Sequence, residues 1–209
     1  MELFLTLLSG IGWTLVYIDS IRKGFKDKTY AIPLYALGLN FAWEVIYSFR
    51  DIRTAGVQGI VNIIWMLCDA VIVFTYFKYG SREFPDNAKR AFIPFSLLSF
   101  AACAVFQLAF LLEFPEGIEA ATYSAFAQNA AMSIMFVVML YRRGSARGQS
   151  MLIAVAKWIG TLAPTLLLGV VKQFNIYVIL TGSICSVFDI LYIVLLRRMI
   201  AGETKPDRA

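Results

Sequence analysis

AIPLYALGLNFAWEVIYSF, residues 31–49, is apolar along its length except for Asn40, Glu44 and Ser48. As a helix it is about long enough to cross a hydrocarbon core, yet it carries a carboxyl near its middle. An ionisable side chain at membrane depth is costly, so an acid kept there points first to function.

The rest of the chain repeats the pattern. Hydrophobic residues make up 59% of the 209, charged residues 16%, and the mean hydropathy is +0.70, outside the range of soluble domains. Windows of about 20 residues predict seven transmembrane helices, over Leu3–Ile21, Ala31–Arg50, Gly56–Lys78, Ala91–Leu112, Ile118–Tyr141, Met151–Val171 and Ile176–Leu196. The fold class expected is therefore all-α and polytopic, one domain over 1–209, with the lipid bilayer as its solvent. The connections are short and carry nearly all the charge, which leaves no room for a soluble domain.

Cytosolic loops are enriched in Lys and Arg. Fifteen of the nineteen cations, including Arg22, Lys23, Lys89, Arg143, Arg197, Lys205 and Arg208, fall on one side; Arg50, Arg53 and Lys172 fall on the other, and Lys157 lies within helix six. This predicts the N-terminus outside and the C-terminus in the cytosol. The net charge of +5 is a topology signal, and no nucleic-acid partner is expected. The first helix lacks a basic leader and a small-residue cleavage site, so it reads as a retained span. Cys68, Cys103 and Cys185 fall inside spans and read as buried and reduced.

At an offset of 120 residues, Arg22-Lys23-Gly24 aligns with Arg142-Arg143-Gly144, and Asp69 with Asp189. These landmarks point to two three-helix units, within 1–90 and 118–209, joined by helix four as a parallel repeat. Glu44 has no twin, since Pro164 stands at its counterpart position.

Polar and aromatic residues within the spans share faces. Asn40, Trp43, Glu44 and Tyr47 form one stripe of helix two; Asn62, Trp65, Asp69, Ile72 and Tyr76 one of helix three; Gly10, Trp13 and Tyr17 one of helix one. Gly182, Ser183, Cys185 and Ser186 accompany Asp189, while helices five and four add Gln128, Asn129 and Gln107. Such stripes should face a central cavity rather than lipid. A rise of about 1.5 Å per residue puts Glu44 roughly 5 Å to the outer side of the midplane, and Asp69 and Asp189 roughly 3 to 5 Å to the cytosolic side. The acids would then address different parts of one elongated substrate.

The chain has no His, which removes the commonest general base, the Ser-His triads and the commonest transition-metal ligand. It has no P-loop, dinucleotide turn or Cys-x-x-Cys pair, so neither a metal site nor a cofactor is expected. What is left is carboxyls among aromatic rings. Burial disfavours the ionised form of a carboxyl, which keeps a proton available for an apolar substrate. Protonating an alkene or epoxide yields a carbocation, and the faces of Trp, Tyr and Phe stabilise cations.

The seven-helix layout, the Asn-x-x-Trp-Glu-x-x-Tyr stretch of Asn40–Tyr47, Trp65 with Asp69, and Asp189 in the last helix resemble the integral-membrane terpene cyclases of fungal meroterpenoid and indole-diterpene pathways and their bacterial relatives. The resemblance covers essentially the whole chain. It implies protonation-initiated cyclisation of a linear farnesyl or geranylgeranyl chain on an indole, diketopiperazine or other acceptor, without diphosphate loss and without magnesium. It also implies that Glu44 and Asp189 are essential acids.

On this reading Glu44 protonates the substrate, while Asp189 or Asp69 holds a proton network or the substrate's far end. Asn40, Trp43, Tyr47, Trp65, Asn62, Trp13, Tyr17, Gln128 and Asn129 line the prenylated substrate. The plainer alternatives make Glu44 a snorkelling or packing group, Asp19 an interfacial charge, and Tyr30, Tyr79 and Trp158 interface anchors. Lys157 either snorkels to the cytosolic surface or pairs with Asp69 or Asp189. A small transporter of the three-plus-one-plus-three type is the competing function, against which the absence of a Pro-Gln dipeptide counts. A retinal protein would need a Lys where the last helix has Asp189. The compact length leans toward a bacterial plasma membrane rather than the endoplasmic reticulum.

Overall fold

The computed structural model describes residues 1–51, 56–114 and 118–203. Among them run seven α-helices: α1 (Glu2–Asp27), α2 (Leu34–Asp51), α3 (Gly56–Tyr79), α4 (Phe92–Glu113), α5 (Ile118–Arg143), α6 (Met151–Leu166) and α7 (Ile176–Glu203). The all-helical membrane class is thus as expected. Six are long and apolar enough to cross a bilayer; α2, with 18 residues among which are Asn40, Glu44, Arg50 and Asp51, stands outside that set. Of the cations used for orientation, Arg53, Lys205 and Arg208 lie outside the described residues, as do most of the predicted connections Asp51–Ala55 and Glu113–Gly117.

Several helix ends differ from the hydropathy windows. α2 begins at Leu34, not Ala31, because Pro33 caps the turn and its carbonyl takes the N–H of Leu37 at 2.8 Å; the residue before a proline is also kept out of helical geometry. α1 and α7 continue to Asp27 and Glu203, since a helix that leaves the hydrocarbon core still satisfies its own backbone. α1 stops where Lys28 turns into the left-handed region at φ 51°. α6 starts under an N-cap, with the Ser150 hydroxyl accepting from the N–H of Ile153 at 3.1 Å. Pro164, which has no N–H to give, lies inside α6, and the helix then widens into a π turn over Leu167–Val171.

Packing places the helices in a ring. α1 contacts α3 and α6, α3 contacts α2, α2 contacts α5, α5 contacts α7, and α7 returns to α6. α4 lies outside against α2 and α5. The core buries Tyr17, Ile72, Phe136 and Tyr192. α1 and α6 approach most closely at glycines: a Cβ on Gly12 would meet the Ala156 carbonyl oxygen and Gly160 Cα at 2.9 Å. Small residues allow such backbone approach where hydrophobic transfer gives helices in lipid little reason to associate.

The basic end is tied by polar contacts. Arg143 of α5 donates to Glu83 at 2.9 Å, to Thr29 Oγ1 at 3.0 Å and to the Tyr30 carbonyl at 2.8 Å, and Thr29 also donates to Glu83. Tyr30 is not the interface anchor expected: it is buried, edge-on to Tyr76 at 5.2 Å and under the Arg143 guanidinium at 4.5 Å. Asp19 is likewise buried rather than interfacial, held by Arg22 at 2.6 Å and by the Ser150 hydroxyl.

Candidate active site

Glu44 lies on the inner face of α2 and is 3% exposed. Its Oε1 accepts from the hydroxyl of Tyr17 on α1 at 3.1 Å. Its Oε2 is buried and has no hydrogen-bond partner among the described residues. One turn back on the same face, Asn40 donates through Nδ2 to the Tyr17 hydroxyl and to Asp69 Oδ2 of α3, both at 2.7 Å. Asn40 Oδ1 accepts from Gln128 of α5 at 3.1 Å. Asp69 is fully buried, and its Oδ1 also lacks a partner among the described residues.

The helical spacing of 40 and 44 on α2, and the neighbours α1, α3 and α5, are what draw these groups together. Asp69 therefore joins Glu44 in one network, instead of standing on the far side of a cavity. The shorter α2 accounts for part of the difference, because moving its start from Ala31 to Leu34 moves its midpoint toward Glu44.

Aromatic rings border the cluster. The Tyr17 ring lies 6.4 Å from that of Trp13 and 5.9 Å from that of Trp65, whose indole N–H donates to Thr14 Oγ1 at 3.2 Å. Trp43 donates to the Ala121 carbonyl of α5 at 3.0 Å and packs its ring 4.8 Å from the buried Tyr47. Asn62 is buried one face-repeat before Trp65 and Asp69, and Asn129 is half-buried, with Oδ1 unpartnered among the described residues. Ser183, placed on the Asp189 face by its spacing, is exposed and bonds to the Ile179 carbonyl of its own helix.

Asp189 is held in a separate cluster. Lys157 Nζ of α6 donates to Asp189 Oδ1 at 2.8 Å and Oδ2 at 3.0 Å, and to Ser133 Oγ of α5 at 2.6 Å. Lys157 and Asp189 are 0% and 1% exposed, so Lys157 pairs and does not snorkel. A buried ammonium is tolerated when a carboxylate and further polar partners meet its lost hydration. Among the described residues no hydrogen bond joins this pair to the Glu44 network. The sequence offered Gln107 as a polar residue of helix four but gave no sign that it bonds to Gln128; its lone amide in an apolar helix was the available signal.

Chemically, a carboxyl with one oxygen held and the other open can release a proton from the open side. Nearby ring faces favour the positive charge that follows. Two cavities, of about 240 Å³ and about 860 Å³, lie at the basic end, beside Arg143 and beside Arg22, Lys26 and Arg147. None of the acid-cluster residues lines them.

Residues 1–200 match the family model of Pyr4-like transmembrane terpene cyclases. The chain is 30% identical over 168 residues to terpene cyclase ascF of Acremonium egyptiacum, covering 73% of this chain and 61% of that protein. It is 32% identical over 162 residues to Pyr4-family terpene cyclase mfmH of Annulohypoxylon moriforme, covering 76% and 66%. Terpene cyclase pyr4 of Aspergillus fumigatus is 28% identical over 214 residues, covering 97% and 88%. This chain thus spans less than two thirds of the length of the first two relatives. No solved structure matches it. These relatives are fungal terpene cyclases, which lends no support to a bacterial membrane or to a transporter.

Proposed function

The chain belongs to the Pyr4-like transmembrane terpene cyclases, and from that premise we propose that it is a membrane-bound terpene cyclase acting on a prenylated small molecule. Glu44 protonates the terminal alkene or epoxide of a linear farnesyl or geranylgeranyl chain, and the resulting carbocation closes rings without loss of diphosphate. The observation that carries this reading is the buried carboxyl of Glu44, tethered through Oε1 to Tyr17 and open at Oε2, beside the Tyr17, Trp13 and Trp65 rings. Asp69 accepts from Asn40, which also donates to the Tyr17 hydroxyl that holds the acid, and so contributes to its polar surroundings. Asp189 accepts two hydrogen bonds from an ammonium, so we assign it to ordering α5, α6 and α7 around the substrate rather than to giving the first proton.

We place the N-terminus outside and the C-terminus in the cytosol, on the cation bias. We also read the chain as one domain of two three-helix units linked by α4. In its support, α3 touches both α1 and α2 just as α7 touches both α5 and α6.

Membranes carrying the protein, given a farnesylated or geranylgeranylated acceptor or its epoxide, should yield a cyclised isomer of the same mass. Glu44→Gln, which cannot donate a carboxyl proton, should lower that turnover by about a hundredfold or more. Normal turnover by this variant would remove Glu44 from the role of acid.

A further inference from the structure

Gln107 sits on the outer helix α4 and is fully buried. Its amide nitrogen donates to the main-chain carbonyl of Leu39 at 3.2 Å and to Gln128 Oε1 at 2.6 Å. A main-chain carbonyl only accepts, so this contact decides which end of the Gln107 amide faces inward. With its oxygen taken, Gln128 offers its NH₂ to Asn40 Oδ1 at 3.1 Å. Asn40 in turn gives both of its N–H groups, one to Tyr17 and one to Asp69. The Tyr17 hydroxyl, already an acceptor, has one proton to give and gives it to Glu44 Oε1. Every orientation in the chain follows from one backbone carbonyl.

Gln107 retains this orientation at a cost. Its Oε1 is buried without a partner among the described residues, and an unmet buried acceptor is destabilising. An amide placed only to stabilise the bundle would be expected to use both ends.

We propose that Gln107 and Gln128 are positioning residues for the acid: with Asn40 and Tyr17 they form a one-way chain of donors that holds Glu44 Oε1 as an acceptor and leaves Oε2 to carry and deliver the proton. This rests on the reading of Glu44 as the acid. In the step, the Oε2–H bond breaks and its electron pair stays on the carboxylate, which the Tyr17 hydroxyl already faces. The π pair of the terminal alkene takes the proton as a new C–H bond and leaves a carbocation at the other alkene carbon, or the epoxide oxygen takes it as an O–H bond while a ring C–O bond breaks, its pair staying on oxygen and the cation on carbon. The final ring cation loses one proton to water or a carboxylate and Glu44 regains one, so the substrate's composition is unchanged.

The full-length chain in membranes tests this with Gln107→Leu, Gln128→Leu, Gln128→Glu and Glu44→Gln. Both Leu variants should lower kcat about tenfold or more with KM unchanged. They should also shift the infrared carbonyl band of protonated Glu44, identified as the band lost in Glu44→Gln. Gln128→Glu, neutral when buried, accepts from Gln107 through C=O and donates to Asn40 through O–H, so it should restore most of kcat and the band position. Leu variants with normal kcat and an unmoved band, while Glu44→Gln is dead, would overturn the chain but not the acid. Lower yield with unchanged kcat and band would show a purely structural role and also overturn it. Full turnover by Glu44→Gln would overturn both readings.

Discussion

The two carboxyl oxygens of Glu44 are chemically distinct, one bound by Tyr17 and one without a partner among the described residues. That asymmetry, more than burial, is what the proposed role of Glu44 as a directed donor rests on. Tyr17→Phe removes the hydroxyl but keeps the ring beside Trp13 and Trp65, and so separates the hydrogen bond from cation stabilisation. It leaves Glu44 Oε1 and one Asn40 N–H without that partner, at a cost of about 1–3 kcal/mol. We expect kcat to fall about tenfold while the same products form; a changed product pattern at normal kcat would instead assign Tyr17 to ring guidance. Asn40 and Glu44 at i and i+4 were legible as one face of one helix. That the hydroxyl between them comes from α1 was not, because nothing in a one-helix period specifies the neighbour.

Among the elements, α5, α6 and α7 are joined through the Lys157–Asp189 pair and Ser133, whose three acceptors use all three N–H groups of the ammonium. Removing one partner of a buried ion pair leaves the other uncompensated, so Lys157→Met should lower stability by about 3–5 kcal/mol. The double variant Lys157→Met/Asp189→Leu should recover much of that loss, since well-packed apolar side chains replace buried pairs readily. Thermal unfolding in detergent reads both effects. A double variant no more stable than the single one would show that Asp189 does more for the packing than pair with Lys157. Lys157 in an apolar run was visible in the sequence as either a snorkelling or a paired cation. Only the facing of α6 onto α7 decided for the pair.

Over the whole molecule, α4 touches the ring from outside and still reaches the acid cluster through Gln107, while Arg143 and Glu83 tie the basic loops together. If that basic end is cytosolic, protease added outside sealed cells should remove a tag fused at the N-terminus and leave one at the C-terminus intact. The reverse pattern would invert the bundle and put Glu44 on the opposite side of the midplane.

Hydropathy and charge, read segment by segment, mark an all-helical membrane protein, place its helix ends to within seven residues and identify the acids inside the helices, because hydrocarbon thickness and the cost of buried charge act on each segment alone. How those acids group is set by packing: Glu44 with Asp69 through Asn40 and Tyr17, and Asp189 with Lys157. Hydrogen bonds and ion pairs across helices depend on azimuth and on which helices are neighbours, and neither is written in the period of any single span.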